Sequence, residues 1–316
     1  MDVNWNILIF FSIYAGFGIV VLILWWLIYD AILSQGYNLK EAMFGSNPNP
    51  AVAVDLLGGI LAMGIMLYSI VALAERSSFR LNFQAVAVNI LVLLVLLAVL
   101  RLFVAAFLRV WFRDSRDAQG DIITFNNELF KQRNIATGIF STVTYIILVS
   151  GLVEWDLFDQ GDKGLATVWN MVGVWVLGFA LVMIHSFFYL EYGTKNHILH
   201  EAFHDNNPAA PFSLLGLVAG ILPLNHQFIS SNIFLISSER IPGADSHMFN
   251  QPGLWLSLGV VVLFVLVARG ILQIVVLGAL RINLRRELVV HDNLAWGLLD
   301  GGLIFALVLI FNGLMT

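Results

Sequence analysis

The stretch Asn49-Pro50-Ala51-Val52-Ala53-Val54-Asp55-Leu56-Leu57-Gly58 decides the fold, because a changed copy of it returns later in the chain. Asn207-Pro208-Ala209 opens a second apolar run, and Leu214-Leu215-Gly216 follows it at the same spacing. The offset between the two stretches is 158 residues in a chain of 316. This half-length offset is typical of duplication and fusion of one unit.

A second pair of segments repeats in the same order. Glu128-Leu129 followed by Asn134-Ile135-Ala136 and Gly138 recurs as Glu287-Leu288 followed by Asn293-Leu294-Ala295 and Gly297, at an offset of 159. The two offsets together predict two units, residues 1–158 and 159–316. Any function must therefore be argued for a pseudo-dimer.

The composition indicates a membrane protein. Hydrophobic residues make up 59% of the chain and charged residues 12%, whereas about a quarter of the residues of a soluble domain are charged. Runs of this length and apolarity in lipid favour helices, because a helix satisfies its own backbone hydrogen bonds. We expect an all-α integral membrane protein with eight spans in two parallel four-helix units, at about 7–29, 51–73, 85–108, 135–153, 167–190, 209–235, 253–278 and 294–314.

Basic residues predict the orientation of the spans. The connections after spans one, three, five and seven carry ten Lys or Arg, and the opposite face carries four: Arg76, Arg80, Lys163 and Arg240. Short loops rich in Lys and Arg stay in the cytoplasm. We therefore expect both termini outside the cytoplasm. Four spans per unit is an even number, which makes the units parallel repeats about an axis along the membrane normal.

The order of these motifs is similar to that of a known family. Asn-x-Ala opens the even-numbered spans, and Glu-Leu precedes Asn-[Ile/Leu]-Ala-x-Gly in both halves. This pattern resembles the bacterial inner-membrane family called domain of unknown function 350, here as two fused copies. The resemblance implies the fold, a bacterial inner-membrane location and association with peripheral membrane-stress proteins. The family has no agreed biochemical activity. The charged segment 109–127 departs from the pattern, because the second half has no full counterpart.

Four asparagines are predicted helix caps. Asn is a favoured N-cap, and Pro fits the first helical position, so Asn49-Pro50 and Asn207-Pro208 indicate helix starts. Asn134 and Asn293 are expected to cap their helices in the same way. All four predicted helix ends lie on the cytoplasmic side, where their positive dipoles could also hold an anion or a lipid phosphate.

Charged residues inside the spans are the strongest candidates for a functional site. Asp55, Arg101, Arg269 and Asp300 interrupt apolar runs, and such residues usually face the interior of a bundle. At 1.5 Å per residue, all four lie roughly 8–13 Å from the cytoplasmic ends of their helices, in one layer. We expect Asp55 to pair with Arg101 and Asp300 with Arg269. The layer could be structural, a polar route for protons, ions or a small anion, or a sensor whose pairs break on a signal.

One string suggests zinc. His200-Glu201-Ala202-Phe203-His204 fits H-E-x-x-H, in which two His one turn apart hold zinc and the Glu acts as base. The aligned segment of the first half, Glu41-Ala42-Met43-Phe44, contains no His. A third ligand is not obvious, although Asp205 or His185 could serve. A zinc hydrolase centred on His200, Glu201 and His204 is therefore an alternative, with adventitious or regulatory metal binding as a second.

The remaining features narrow the class of protein. No glycine-rich phosphate loop, nucleophile elbow or nucleic-acid patch is visible, and the absence of cysteine excludes thiolate metal sites. Segment 109–133 mixes basic and acidic residues and is expected to be a docking site for a cytoplasmic peripheral partner. We expect a non-enzymatic protein without a cofactor, embedded in lipid and able to form a homo-oligomer. It would act as a conduit for ions or small solutes or as a membrane-stress scaffold.

Overall fold

The computed structural model describes residues 5–73, 79–113, 115–116, 120–153, 164–189, 198–230 and 282–315, and a few positions between 263 and 278. The expected seventh span, 253–278, therefore lies almost entirely outside the described residues, although Arg269 is described. The same holds for most of the connection between the two predicted units, at 154–163.

The described residues form helices and no β-strand; Arg116 and Ile122 make one isolated bridge. Two π-helical turns, Tyr29–Leu33 and Asn127–Lys131, precede helices in the connections. The helices are α1 (Trp5–Ile28), α2 (Leu39–Phe44), α3 (Pro50–Leu73), α4 (Phe79–Trp111), α5 (Ile135–Val153), α6 (Gly164–Tyr189), α7 (Ile198–Phe203), α8 (Ala209–Ser230), α9 (Leu284–Val289) and α10 (Leu294–Met315).

Four of these helices are long and apolar enough to cross a membrane. The qualifying segments are Ser12–Leu33, Pro50–Leu67, Ala87–Trp111 and Ile135–Leu152. Three shorter apolar stretches follow, at Met171–Ser186, Ala209–Leu222 and Leu294–Ile310. The protein is therefore a helical membrane protein, and helices occur where seven of the eight spans were expected.

Helices α3, α5, α8 and α10, which lie where the even-numbered spans were expected, form a row. Helix α3 packs against α5, α5 against α8, and α8 against α10. Helix α5 lies at the centre, and 94% of Ile135–Leu152 is buried, against 22% of Ser12–Leu33 in the first span. This burial explains why α5 carries small and hydroxylated side chains, which allow close approach and bond across helices.

Glycines set the closest approaches in this row. A Cβ on Gly138 would lie 2.5 Å from the carbonyl oxygen of Ala51, and one on Gly297 would lie 2.5 Å from that of Ala209. Both glycines thus let the start of one even-numbered span touch the backbone of the preceding one. The same type of contact holds α5 to α3 and α10 to α8.

Candidate functional site: two buried charge centres

The first charge centre surrounds Asp55 on α3. The side chain is fully buried, and its Oδ2 accepts a hydrogen bond from Arg101 Nε at 3.2 Å. The hydroxyls of Tyr29 and Ser141 donate to the two carboxylate oxygens, and the Tyr145 hydroxyl donates to Oδ1 at 2.9 Å. One carboxylate thus ties together span one, α3, α4 and α5.

The guanidinium of Arg101 has partners besides Asp55. Its Nη2 donates to Asn126 Oδ1 at 2.9 Å, and its Cζ lies 3.3 Å from the centre of the Phe125 ring. Asn126 in turn donates from Nδ2 to the carbonyl oxygen of Leu33 at 3.2 Å. The buried cation is therefore held by a carboxylate, an amide and an aromatic face, which offset the cost of removing it from water.

The second charge centre surrounds Asp300 on α10. Arg269 donates to both carboxylate oxygens, with Nε 2.8 Å from Oδ1. The Ser213 hydroxyl donates to Oδ2, and His185 Nε2 lies 2.9 Å from Ser213 Oγ. This centre links α6, α8 and α10 with Arg269.

The structure thus brings each predicted acid of the layer to its predicted arginine. The serines exchange places between the centres: Asp55 on α3 meets Ser141 on α5, and Asp300 on α10 meets Ser213 on α8. Each centre joins the two even-numbered spans of one half. Its chemistry is that of a neutralised, hydrogen-bonded ion pair.

The four predicted caps all accept a hydrogen bond from the start of their helix. Asn49 Oδ1 accepts from the backbone N–H of Ala51 at 3.0 Å, and Asn207 Oδ1 from that of Ala209 at 2.9 Å. Asn134 accepts from Thr137 at 3.2 Å, and Asn293 from Trp296 at 3.4 Å.

The other end of these amides makes a second set of bonds that the sequence analysis missed. Asn49 Nδ2 donates to the carbonyl oxygen of Leu129 at 2.9 Å, in the next cytoplasmic connection of the predicted topology. In the same way, Asn134 Nδ2 donates to the carbonyl oxygen of Ala202 at 2.8 Å, and Asn207 Nδ2 donates to that of Leu288 at 2.6 Å. Three caps thus tie four successive connections together.

A glutamate six residues before the asparagine completes three of these caps. The Glu128 carboxylate accepts from Asn134 Nδ2 at 3.1 Å, and Glu287 accepts from Asn293 Nδ2 at 2.9 Å. Glu201 accepts from Asn207 Nδ2 at 2.7 Å. In all three cases the Glu carbonyl oxygen also accepts the Asn backbone N–H at 2.9 Å.

The backbone turns sharply before the same three asparagines. Arg133, Asn206 and Asp292 have φ values of 57°, 54° and 48°, a left-handed conformation that is uncommon for non-glycine residues. The spacing Glu-x5-Asn and this turn form one unit, in which the bonds between Glu and Asn hold the strained residue. The signal was present in the sequence as Glu128, Glu201 and Glu287, each six residues before an Asn.

The H-E-x-x-H string lies on α7 and just after it. The His200 and His204 rings have centroids 4.3 Å apart, and His204 Nδ1 lies 2.7 Å from Asp205 Oδ1. His200, His204 and Asp205 offer three ligand atoms within 4.8 Å of one another, at a partly exposed position. These three side chains could hold a metal ion.

Glu201 does not share that position. Its side chain is buried, and it accepts from Asn207 as Glu128 and Glu287 accept from their asparagines. Burial raises the pKa of Glu201 to about 7, the hydrogen bond from Asn207 lowers it, and the charges of Asp205 and Asp292 raise it. Glu201 is thus engaged in the cap instead of being free to act as base beside the histidines.

The comparisons with known proteins concern the first half of the chain. No curated protein and no solved structure matches the chain. The model of the family described as Domain of Unknown Function (DUF350) matches residues 3–153, so the half that contains Asp55, Arg101, Asn49 and Asn134 is similar to that family.

Proposed function

We propose that this chain is an eight-span protein of the bacterial inner membrane, made of two fused DUF350-like units, 1–158 and 159–316. Both termini lie outside the cytoplasm. Asn49 and Asn207 make the same type of hydrogen bond to a later connection, and Gly138 and Gly297 make the same close contact with the preceding helix. Both likenesses support two units in the same orientation. The family match covers the first unit.

Within this architecture, we propose a non-enzymatic membrane scaffold. The observation that carries this function is the complete bonding of Asp55: one buried carboxylate receives Arg101 and the hydroxyls of Tyr29, Ser141 and Tyr145. A carboxylate on α3 with four donors from three other spans is suited to fixing helices in place. A proton or ion route requires groups that can exchange partners.

A conduit is the second candidate, and one observation favours it. His185 Nε2, Ser213 Oγ and the Asp300 carboxylate form a buried polar chain from α6 across α8 to α10. A neutral imidazole has one donor nitrogen and one acceptor nitrogen, so it can pass a proton along such a chain. A proton relay would therefore use the second centre and leave the first as its structural support.

The zinc hydrolase has less support than either. Its presumed base, Glu201, is bonded to Asn207 and serves a cap that Glu128 and Glu287 also build. We propose metal binding without hydrolysis for His200, His204 and Asp205. The test is zinc affinity of the wild type against His204→Ala, with no peptidase or esterase activity expected in either protein.

We propose that segment 109–133 is the part of the scaffold that binds a peripheral partner in the cytoplasm. Arg116 Nη1 donates to the carbonyl oxygen of Gly120 at 2.7 Å, and Gln132 Nε2 donates to Asp121 at 3.1 Å. These bonds shape the segment on the outside of the bundle. The first centre anchors it through Phe125 and Asn126.

Reconstitution into liposomes separates the two leading functions. A scaffold predicts that the wild type carries no more proton or ion flux than protein-free liposomes, and that Asp300→Asn changes stability alone. Flux in the wild type that Asp300→Asn abolishes, while the variant stays folded, would favour the conduit. Single cysteines at Arg113 and near the amino terminus, tested with an impermeant thiol reagent, check the orientation; labelling of Arg113→Cys from outside contradicts it.

A further inference from the structure

The two predicted units meet where α5 packs against α6, α7 and α8. Phe203, at the end of α7, is fully buried at this junction. Its ring centroid lies 5.4 Å from that of Phe140, 6.0 Å from that of Phe125 and 6.4 Å from that of Phe112. An aromatic side chain of the second half thus closes the cytoplasmic side of the first.

Polar and small groups fix the same junction. Asn134 Nδ2 donates to the carbonyl oxygen of Ala202, and Trp175 Nε1 donates to that of Leu148 at 3.1 Å. A Cβ on Gly178 would lie 2.5 Å from Ile147 Cγ2. Helix α6 therefore lies tightly on α5.

Helix α1 has the counterpart of this face of α6, and it is exposed. The buried residues of α6 include Val174, Leu177, Gly178 and Leu181, and also His185, whose ring contacts Ser213 of α8. The residues 158 positions earlier have the same helical spacing, and every one of them is exposed: Gly16, Ile19, Val20, Ile23 and Leu27.

Helices α2 and α7 show the same contrast. Both have six residues and end in a phenylalanine, Phe44 and Phe203. Phe203 is 0% exposed, whereas Phe44 is 70% exposed and stacks only against Trp26 among the described ring contacts, with centroids 5.8 Å apart. We call Ile19, Val20, Ile23, Leu27 and Phe44 the α1 surface.

Helix α10 has the counterpart of the α5 face, and it is also exposed. The α5 residues Phe140, Ile146, Ile147 and Ser150 are buried. Their counterparts 159 positions later are exposed and line one side of α10: Leu299, Phe305, Ala306 and Leu309. We call these four residues, with Asn293 and Ile310, the α10 surface.

The row of hydrogen bonds between the cap asparagines and later connections ends beside the same two surfaces. In each connection two neighbouring carbonyls accept bonds from two different asparagines. Glu128 accepts the backbone N–H of Asn134, and the next residue, Leu129, accepts the side-chain amide of Asn49. In the same way, Glu201 accepts the backbone N–H of Asn207, and Ala202 accepts the side-chain amide of Asn134. Asn49 N–H donates to Ala42, so Met43 is the corresponding acceptor in the first connection. Asn293 Nδ2 donates to Glu287 and, within the described residues, to no further connection.

We propose that copies of this chain associate head to tail, with the α10 surface of one copy against the α1 surface of the next. This contact repeats the one that α5 makes with α6 and α7, and it rests on the two-unit architecture proposed above. Phe44 takes the place of Phe203, Leu299 that of Phe140, and Asn293 donates to Met43. A heterologous contact of this kind closes into a ring or extends as a row.

A second copy of the chain fits the α1 and α10 surfaces better than lipid does. Lipid would cover both apolar stripes equally well, since lipid chains are as apolar as the side chains. It offers no partner shaped like the aromatic packing that buries Phe203, and no fixed carbonyl in line with the three existing cap bonds. The junction inside the chain supplies both.

Disulfide cross-linking tests this contact without a background, because the chain has no cysteine. Full-length Phe44→Cys and Leu299→Cys chains with different affinity tags are co-expressed and oxidised in membranes. We expect a cross-linked pair carrying both tags, and none from either variant alone. Phe107→Cys, at another exposed apolar position, replaces Leu299→Cys in the control and should give no product.

A second pair separates the assembly from the architecture. Phe140→Cys and Phe203→Cys in one chain should be joined by a short, membrane-permeant bis-maleimide, because the two phenylalanine rings lie 5.4 Å apart between centroids. If this cross-link forms but the mixed product is missing, or is matched by the Phe107→Cys control, the head-to-tail contact is wrong and the two-unit architecture stands. If the internal cross-link fails in a folded chain, both are wrong. A single copy per nanodisc by native mass spectrometry of the wild type would also overturn the assembly.

Discussion

The two charge centres share an arginine, an aspartate and a serine, yet their surroundings differ. Asp55 receives two tyrosine hydroxyls in addition to Arg101 and Ser141. The residue of α10 that corresponds to Tyr145 is Ile304, which is fully buried and apolar, and the His185 ring contacts Ser213 of the second centre. The difference indicates that the first half fixes its charge with more hydrogen bonds than the second half does.

The largest effect is expected from removing the acid of the first centre. Asp55→Asn leaves Arg101 buried without a counter-charge, which we expect to destabilise the protein by about 3–5 kcal/mol. Asp300→Asn should cost less, because that carboxylate has fewer donors. Thermal unfolding in detergent measures both.

Asp30→Asn is the matched control for this prediction. Asp30 lies at the end of the same span as Tyr29 but is exposed, so its replacement should stay within about 0.5 kcal/mol of the wild type. Equal losses for Asp55→Asn and Asp300→Asn would contradict the unequal bonding of the two centres.

The next effect concerns the helix contacts beside each centre. A Cβ on Gly216 would lie 2.0 Å from the Gly301 carbonyl oxygen, whereas one on Gly58 would come nearest to the Thr142 side chain, at 2.3 Å. Overpacking typically costs about 1–3 kcal/mol, and we expect Gly216→Ala at the upper end because backbone must move.

Gly58→Ala should cost less than Gly216→Ala, because its Cβ would meet the Thr142 hydroxyl at 2.3 Å and the Thr142 Cα only at 2.9 Å, whereas that of Gly216 would meet the Gly301 carbonyl oxygen at 2.0 Å and the Gly301 Cα at 2.4 Å. Gly64→Ala serves as the control, since nothing lies within 4 Å of its Cβ position. Unfolding temperatures of the three variants give the order. A neutral Gly216→Ala would show that α8 and α10 can separate freely, against the packing described above.

A smaller effect separates Tyr145 of the first centre from Tyr37, which lies outside it. Tyr145→Phe removes a bond to a carboxylate, and such bonds contribute about 1.5–3 kcal/mol. Tyr37→Phe removes a bond to the Asn127 side-chain amide at 3.0 Å, a neutral bond of about 0.5–1.5 kcal/mol. Chemical denaturation of the two variants should rank them in that order, and the reverse ranking would count against Tyr145 as a stabiliser of Asp55.

The smallest effect is a pH dependence that distinguishes two caps. Burial raises the pKa of Glu201 to about 7, whereas the hydrogen bond from Asn293 lowers the pKa of Glu287. A folded chain that binds the Glu201 proton more tightly loses stability as the pH rises from the ordinary value of 4.5 towards 7. Glu201→Gln should remove this loss.

Glu287→Gln should act in the opposite direction. The depressed pKa of Glu287 stabilises the fold above its ordinary value, and this stabilisation is lost as the pH falls through the folded pKa. The measurement is the unfolding temperature between pH 4 and pH 8 for the wild type and both variants. Parallel curves for the wild type and Glu201→Gln would show that Glu201 does not titrate in this range.

Several of these features follow from the sequence alone. A lone charge in lipid is costly, so Asp55 is predicted to pair with Arg101, the basic residue of the same half at the same depth. Asn-Pro leads to the helix starts at Asn49 and Asn207. Apolar length leads to the four helices that can cross a membrane.

Other features could not be read in this way. Tyr29 and Tyr145 sit in apolar runs, and hydropathy does not show whether a tyrosine faces lipid or a carboxylate. Glu201 fits H-E-x-x-H, and this match drew attention to the histidines instead of to the asparagine six residues later. The partners of the cap amides lie about 70–80 residues away, beyond any local pattern.

The cap bonds also impose an order on biosynthesis. The Asn49 side chain reaches its acceptor only after Leu129, 80 residues further on, has been made. At about 5–20 residues per second, that is a wait of roughly 4–16 s. In the topology proposed above, each pair of spans therefore enters the membrane with an incomplete cytoplasmic end, which the next pair completes. Translation itself would then sort the hairpins into their row, because every newly made connection meets one waiting asparagine.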